Sequence, residues 1–157
     1  MTSRPRHVAA LVAAIAAPAL LAGCTAHPDE VWSEVRTAVV AADPAIEDAY
    51  VTGATGPAGV DIRARVYVTD TDEETIERVI DAALTAMIAG SPDRPPSLGL
   101  DLALAPMPSD PNLAAQPLDI TDVVTDMQLF DRYSNGVISA SIDYMEERYG
   151  RWEDLRP

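Results

Sequence analysis

The sequence contains no lysine, a single cysteine and two histidines, so most of the side chains used in covalent and metal chemistry are missing. Both histidines, His7 and His27, precede the region in which helices and strands can be recognised. A Ser-His-Asp or Cys-His nucleophile system therefore cannot be assembled within the folded domain. The absence of lysine excludes Ser-Lys dyads and Schiff bases, and zinc, haem and iron–sulfur sites lack their usual ligands. We predict a protein that is not an enzyme and binds no cofactor.

Basic side chains are also scarce, because 11 arginines oppose 25 acidic residues and the formal net charge is −14. Nucleic-acid binding depends on a basic footprint, so this class of partner is excluded. A surface of this charge also repels anionic lipid headgroups. Any attachment to a membrane must then come from covalently bound lipid rather than from the surface of the protein.

The N-terminus has a pattern of its own. Arg4 and Arg6 precede a small and apolar run over residues 8–22, and the only cysteine follows within Leu-Ala-Gly-Cys at 21–24. The run is shorter than the about 20 residues that a transmembrane helix needs. Its charged start, apolar middle and small-residue end are typical of a cleaved secretory signal.

This N-terminus resembles the signal peptide and lipobox of bacterial lipoproteins. The resemblance implies that residues 1–23 are removed and that Cys24, carrying a diacylglyceryl group on its sulfur, becomes the first mature residue. Two or more acyl chains anchor a protein stably, whereas one chain holds only marginally. The resemblance therefore places the protein on the outer face of the cytoplasmic membrane. A plain secretory signal is the alternative, as is a chance apolar start whose cysteine is buried.

The mature chain would be a single acidic domain on a short link. Cleavage would leave 134 residues, with 25 acidic and nine arginine side chains and a formal charge of −16. Residues 24–30 would form a linker that reaches about 20 Å when extended, and residues 31–157 would form the domain. Abundant alanine, arginine, aspartate and proline without lysine indicate a GC-rich genome, and we infer a high-GC Gram-positive bacterium.

The clearest secondary-structure patterns lie in the first half of the domain. Apolar residues at three- and four-residue spacing predict a helix over residues 29–42, with Trp32 at the edge of the core. Strict alternation of apolar and polar residues predicts a strand over residues 60–69. Thr71 opens a capping box for a second helix, which is expected to end with Gly90 as its cap.

Shorter patterns complete the predicted fold. Strands are expected over residues 46–52 and 98–104, and a final helix over 138–149 after a turn. Residues 118–131 fit either a short helix capped by Thr121 or an edge strand at their start. The resulting order, α-β-β-α-β-α-α, predicts an α+β two-layer sandwich. We expect an antiparallel sheet of three to four strands, with the helices mainly on one face.

Three residues of the strand over 60–69 are candidates for partner binding. Arg63, Arg65 and Tyr67 share one face of the strand, although pairing of the arginines with acids on neighbouring strands is the favoured alternative. The leading functional hypothesis is a non-catalytic envelope lipoprotein that binds a protein or a cell-wall component close to the membrane.

Two other functions stay open. A small glycoside-type hydrolase would use two carboxyl groups about 5–10 Å apart, and an all-oxygen calcium site would use the same kind of ligand. The candidate acids for either site are Asp101, Asp119 and Asp122. A carrier of lipids or other small molecules would instead need an apolar cavity between the helices and the sheet.

Lipidation of Cys24 can be measured directly. We expect mass spectrometry of the mature N-terminal peptide to show the diacylglyceryl group, and we expect a palmitate analogue to label the wild-type chain. Because Cys24 is the only cysteine, Cys24→Ala should remove all label and move the protein out of the membrane fraction, while Thr25→Ala should keep both. An unmodified cysteine in protein released into the medium would contradict the prediction.

Overall fold

The structure is a computed structural model that describes residues 28–110 and 116–156, without the side chains of residues 28–31 and 130. The predicted signal peptide, Cys24 and the start of the predicted linker lie outside the described residues. The first helix begins at Pro28, so residues 28–30 are helical rather than extended. Within the described part of the chain, no helix has both the length and the apolar character needed to cross a bilayer.

Helices are interspersed with strands along the described part of the chain, and its five strands join one sheet. The helices are α1 Pro28–Ala42, α2 Glu73–Gly90, α3 Thr121–Asp126, α4 Ile142–Tyr149 and α5 Trp152–Leu155, with a 3₁₀ turn at Phe130–Arg132. The strands are β1 Ile46–Gly56, β2 Gly59–Val68, β3 Ser97–Leu104, β4 Tyr133–Ser134 and β5 Val137–Ser141. The protein is therefore an α+β protein, as its patterning predicts.

The sheet has the order β1-β2-β3-β5-β4 and is mixed rather than antiparallel. β1 and β2 form an antiparallel hairpin, but β2 and β3 run parallel. The reason is α2, which returns the chain along the sheet before β3 begins, as a crossover between parallel strands requires. The prediction of three to four antiparallel strands is wrong in these details.

The predicted order of elements is also wrong near the C-terminus. Residues 138–141, the start of the predicted final helix, instead belong to β5, and α4 begins only at Ile142. Ile138 and Ala140 are buried while their neighbours are more exposed, which is the two-residue period of a strand. Asn135 and Gly136 have φ of 53° and 81°, as a two-residue hairpin turn between β4 and β5 requires.

Two local predictions are refined by the structure. Asp72, rather than Thr71, caps α2, because its side chain accepts a hydrogen bond from the backbone N–H of Thr75. For residues 118–131 the structure has the helix: α3 begins at Thr121, with Ile120 rather than Thr121 as its N-cap. Residues 118–120 form no strand, although the backbone N–H of Leu118 donates to the carbonyl of Leu102 at the edge of β3.

One hydrophobic core joins the helices to the sheet. Burying a single Leu or Ile side chain contributes about 1.5–3 kcal/mol, so this cluster dominates the stability of the fold. The buried apolar residues of α2 and the central strands are Ile76, Val79, Ile80, Ala83, Leu84, Met87, Ile88, Ile62, Ala64, Val66, Val68, Leu98, Leu100 and Leu102. The apolar face of α2 is therefore wholly occupied by the core.

The start of α1 packs on β1 through Trp32 and Gly53. A Cβ atom on Gly53 would lie 2.0 Å from Cζ2 of the Trp32 ring, far inside van der Waals contact. The indole thus fills the space that any side chain at position 53 would need. Trp32 is half-buried and packs against the core, at the edge where its position in the helix predicts it.

Replacing Gly53 by alanine tests this close approach. We expect Gly53→Ala to lower the free energy of unfolding by about 1–3 kcal/mol, because the new methyl group overlaps the indole. Gly56→Ala is the matched control, since the nearest atom to its added Cβ would be the Gly59 carbonyl oxygen at 3.8 Å. Chemical denaturation of both variants gives the comparison, and equal effects would show that Trp32 does not hold this position.

Candidate functional site

A shallow groove of about 990 Å³ runs over the outer side of α1 and α2, and we call it the helix groove. The two helices lie antiparallel. Asp43, just after α1, contacts Arg78 near the start of α2, while Val35 in α1 lies beside Gly90 at the end of α2. The groove therefore follows the line between the two helices, on the side away from the core.

Small uncharged residues form the floor of the helix groove. They are Ala38, Ala41, Ala42, Ala82, Thr85, Ala86, Ala89 and Gly90, and Leu155 of α5 adds a larger apolar side chain. Helices approach one another most closely where the side chains between them are small. The floor is thus suited to close contact with another polypeptide.

Acidic side chains surround the groove near the start of α2. Glu74, Glu77 and Asp81 line this part, together with Arg78. Arg78 already donates a hydrogen bond of 2.6 Å from Nε to Oδ2 of Asp43, so its charge is largely engaged within the protein. Asp81 in turn accepts a hydrogen bond from the Tyr149 hydroxyl. Glu74 and Glu77 therefore give the rim its negative charge.

The Asp43–Arg78 pair fastens the end of α1 to α2. Asp43 is only 4% exposed, and its carboxylate also accepts a hydrogen bond from the backbone N–H of Ala45. The hydrogen bond from Arg78 holds the pKa of the Asp43 carboxyl below its ordinary value, against the opposing effect of burial. This charge keeps the two helices in place at one end of the helix groove.

Glu146 of α4 positions the short helix α5. Its carboxylate accepts hydrogen bonds from the guanidinium of Arg94 and from the backbone N–H of Trp152, at the start of α5. The Arg94 bonds are the main reason that the pKa of Glu146 is lowered to about 2. Because α5 begins at this contact, Glu146 also fixes Leu155, the residue that closes one side of the groove.

The predicted partner-binding residues Arg63, Arg65 and Tyr67 are not equally accessible. Arg65 pairs with Asp101 on the neighbouring strand, at 2.5 Å between Nε and Oδ2. Tyr67 is 0% exposed, so its side chain cannot touch a partner in this conformation. Arg63 is exposed, its Cγ lies over Gly99, and no acid among residues 28–110 and 116–156 pairs with it.

The acids named for a hydrolase or a calcium site lie apart from the helix groove. Burial raises the pKa of Asp101, although Arg65 counteracts part of this effect. The Asp119 carboxylate accepts hydrogen bonds from the hydroxyl and from the backbone N–H of Thr121. Asp119 and Asp122 both line a separate depression of about 490 Å³. In the described part of the chain, no three His, Cys, Asp or Glu side chains are grouped so that they could hold a metal ion.

The helix groove was not predicted, although the sequence of α2 contains a signal for it. The outer face of an amphipathic helix is normally charged or polar, but the second half of α2 places Ala82, Thr85, Ala86 and Ala89 there. Alanine also favours helix formation by itself, so its presence in α2 was not informative without a partner helix. The antiparallel placement of α1 is what turns the two sets of alanines into one surface.

No known protein-family model, curated protein or solved structure significantly matches this chain.

Glu146→Gln tests the link between α4 and α5. At neutral pH we expect it to lower the free energy of unfolding by about 1 kcal/mol, since it weakens charge-assisted hydrogen bonds at a partly exposed position. Glu147→Gln, at the exposed neighbouring position, should have no effect.

The pH dependence follows from the lowered pKa of Glu146. The contribution of its charge is present above the unfolded-state pKa, about 4.5, and is lost as the pH falls towards the folded-state pKa of about 2. The difference in stability between the wild type and Glu146→Gln should therefore shrink over this range. A difference that stays constant from pH 7 to pH 2 would contradict this role for the Glu146 charge.

Proposed function

We propose that the protein is a non-catalytic, lipid-anchored binding module on the outer face of the cytoplasmic membrane. In this proposal, Cys24 carries the anchor and the helix groove holds a protein of the cell envelope. The observation that carries the proposal is the uncharged floor of the groove on a chain with 25 acidic residues. Large contiguous apolar patches on a protein surface are typical of interaction sites.

The groove favours a helical segment that has small or apolar residues along one side. The alanines leave room for a third helix to lie along the line between α1 and α2 at a short interaxial distance. Amphipathic helices commonly bind in grooves of this kind through residues spaced three and four apart. The partner supplies the larger side chains, because the floor of the groove has few of its own.

The acidic rim adds a requirement for charge. Glu74 and Glu77 lie at the end of the groove near the start of α2, where they favour a partner with basic residues at the matching position. Rim charges of this kind mainly affect the rate of association and the choice of partner. A second acidic protein would be repelled.

Site-specific photo-crosslinking in native cells tests the proposal. With benzoyl-phenylalanine at Ala86, in the floor of the groove, we expect one discrete adduct with an envelope protein. Thr37, exposed on α1 outside the groove, provides the matched control position and should give no adduct. An adduct from Arg63 but not from Ala86 would move the binding site to the sheet face and overturn the helix groove.

Charge reversal provides a second, independent measurement. We expect Glu77→Arg to reduce the yield of the Ala86 adduct at least fivefold, because it removes an attractive charge and adds a repulsive one. Glu147→Arg makes the same change of charge at an exposed position of α4 that does not line the groove, and it should leave the yield unchanged. Equal losses in the two variants would mean that net charge, rather than the rim, governs binding.

A further inference from the structure

The exposed edge of the sheet at β1 is protected over only part of its length. Near its start, β1 has an irregular register between Ile46 and Asp48. Further along, the Asp48 side chain accepts a hydrogen bond from the backbone N–H of Ala49, and Nε of Arg36 donates to the Ala49 carbonyl at 2.9 Å. Irregularities and side chains that bond the outward backbone groups prevent the addition of a further strand. The first part of the edge is therefore closed.

The next residues of β1 lack this protection. The N–H and C=O of one residue in an antiparallel strand point to the same side, and alternate residues point outward. Since Ala49 points outward, Val51 and Gly53 do so as well, while Tyr50 and Thr52 pair with β2. Within the described residues, no side chain or loop backbone bonds the outward groups of Val51 or Gly53. Four backbone hydrogen-bonding groups at strand spacing therefore lack a partner in the described part of the chain.

A groove of about 500 Å³ lies along this unprotected part of β1, and we call it the edge groove. Trp32 and Ser33 of α1 line one part of it, and Met107, from the segment after β3, contributes another apolar side chain. The chain carries no charged residue from Ala49 to Val60. Charged residues on edge strands normally discourage pairing with another chain, so their absence here favours it.

We propose that the edge groove binds an extended segment of another protein, which adds to the sheet as a sixth strand beside β1. Pairing of this kind takes its affinity from main-chain hydrogen bonds and its specificity from pockets for alternate side chains. The strong negative charge of this chain favours a neutral or basic segment and disfavours pairing of β1 with a second copy. The proposal is independent of the helix groove and of lipidation at Cys24.

Peptides selected for binding test the edge groove directly. The mature protein, purified from the fraction in which it occurs, is used to select from a phage library of random 12-residue peptides, and the tightest peptide is the probe. On binding, we expect amide exchange at Val51 and Gly53 to slow at least tenfold by NMR. Exchange at Tyr50 and Thr52, already within the β1–β2 ladder, should change little. Tight binding without protection of Val51 and Gly53 would overturn the proposal.

Two variants and one matched control separate strand addition from other modes of binding. We expect Ser33→Arg to raise the Kd of the probe at least tenfold by filling the edge groove, whereas Thr37→Arg, an exposed position one turn along α1, should not. Val51→Pro removes one outward N–H and should weaken binding similarly. Circular dichroism identifies a Pro variant that fails to fold, in which case the Ser33 and Thr37 pair decides.

Three further outcomes would also overturn the proposal. One is selection that yields no binding peptide, and another is equal affinity of the probe for the Ser33→Arg and Thr37→Arg variants. The third is a concentration-dependent dimer, seen by light scattering, in which Val51 and Gly53 are protected without any peptide. That result would assign the edge groove to a second copy of this chain instead.

Discussion

The fold depends on the crossover that α2 makes between two neighbouring parallel strands. An 18-residue helix carries the chain from the end of β2 to the start of β3 and places its whole apolar face on the sheet. With α2 held against the sheet by this face, α1 packs both beside α2 and on β1. Both candidate surfaces follow from this arrangement, because one lies between α1 and α2 and the other lies between α1 and the edge of the sheet.

An uncharged region of the surface is unusual in this protein because acidic side chains are so common. A chain with 25 acids and 11 arginines gains solubility from its charge, but the like charges repel one another in the folded state. Arginines offset this repulsion at specific points, as in the Asp43–Arg78, Arg65–Asp101 and Arg94–Glu146 pairs. The floor of the helix groove has neither acids nor such pairs, and the only charged residue among those that line the edge groove is Arg36, which pairs with Asp48. An uncharged floor is expected where another polypeptide lies against the surface.

The spacing of apolar residues predicted the helices and strands that bury one face. It did not predict the elements whose position depends on contacts with residues distant in the sequence. α1, β2, α2 and β3 each have a long apolar pattern, and the structure has them where the patterns predict them. β5 is only five residues long and runs directly into α4, so Ile138, Ile142 and Met145 mimic the spacing of a single helix. The parallel pairing of β2 and β3 could have been inferred from the strand–helix–strand order alone.

The functional surfaces were harder to predict than the fold, for a physical reason. Arg63, Arg65 and Tyr67 stand out in the sequence because they are large and polar, yet in the structure Arg65 has a partner and Tyr67 is buried. The alanines of the helix groove and the backbone groups of Val51 and Gly53 have no distinctive side chains. Their importance comes from what lies beside them, which only the packing of α1 reveals.

The position of the two grooves around α1 determines whether they can be used together. Successive residues of an α-helix are rotated by about 100°, so Trp32, Ser33 and Arg36 project from the side of α1 roughly opposite to Ala38, Ala41 and Ala42. The first group lines the edge groove and the second lines the helix groove. One ligand therefore does not obstruct the other.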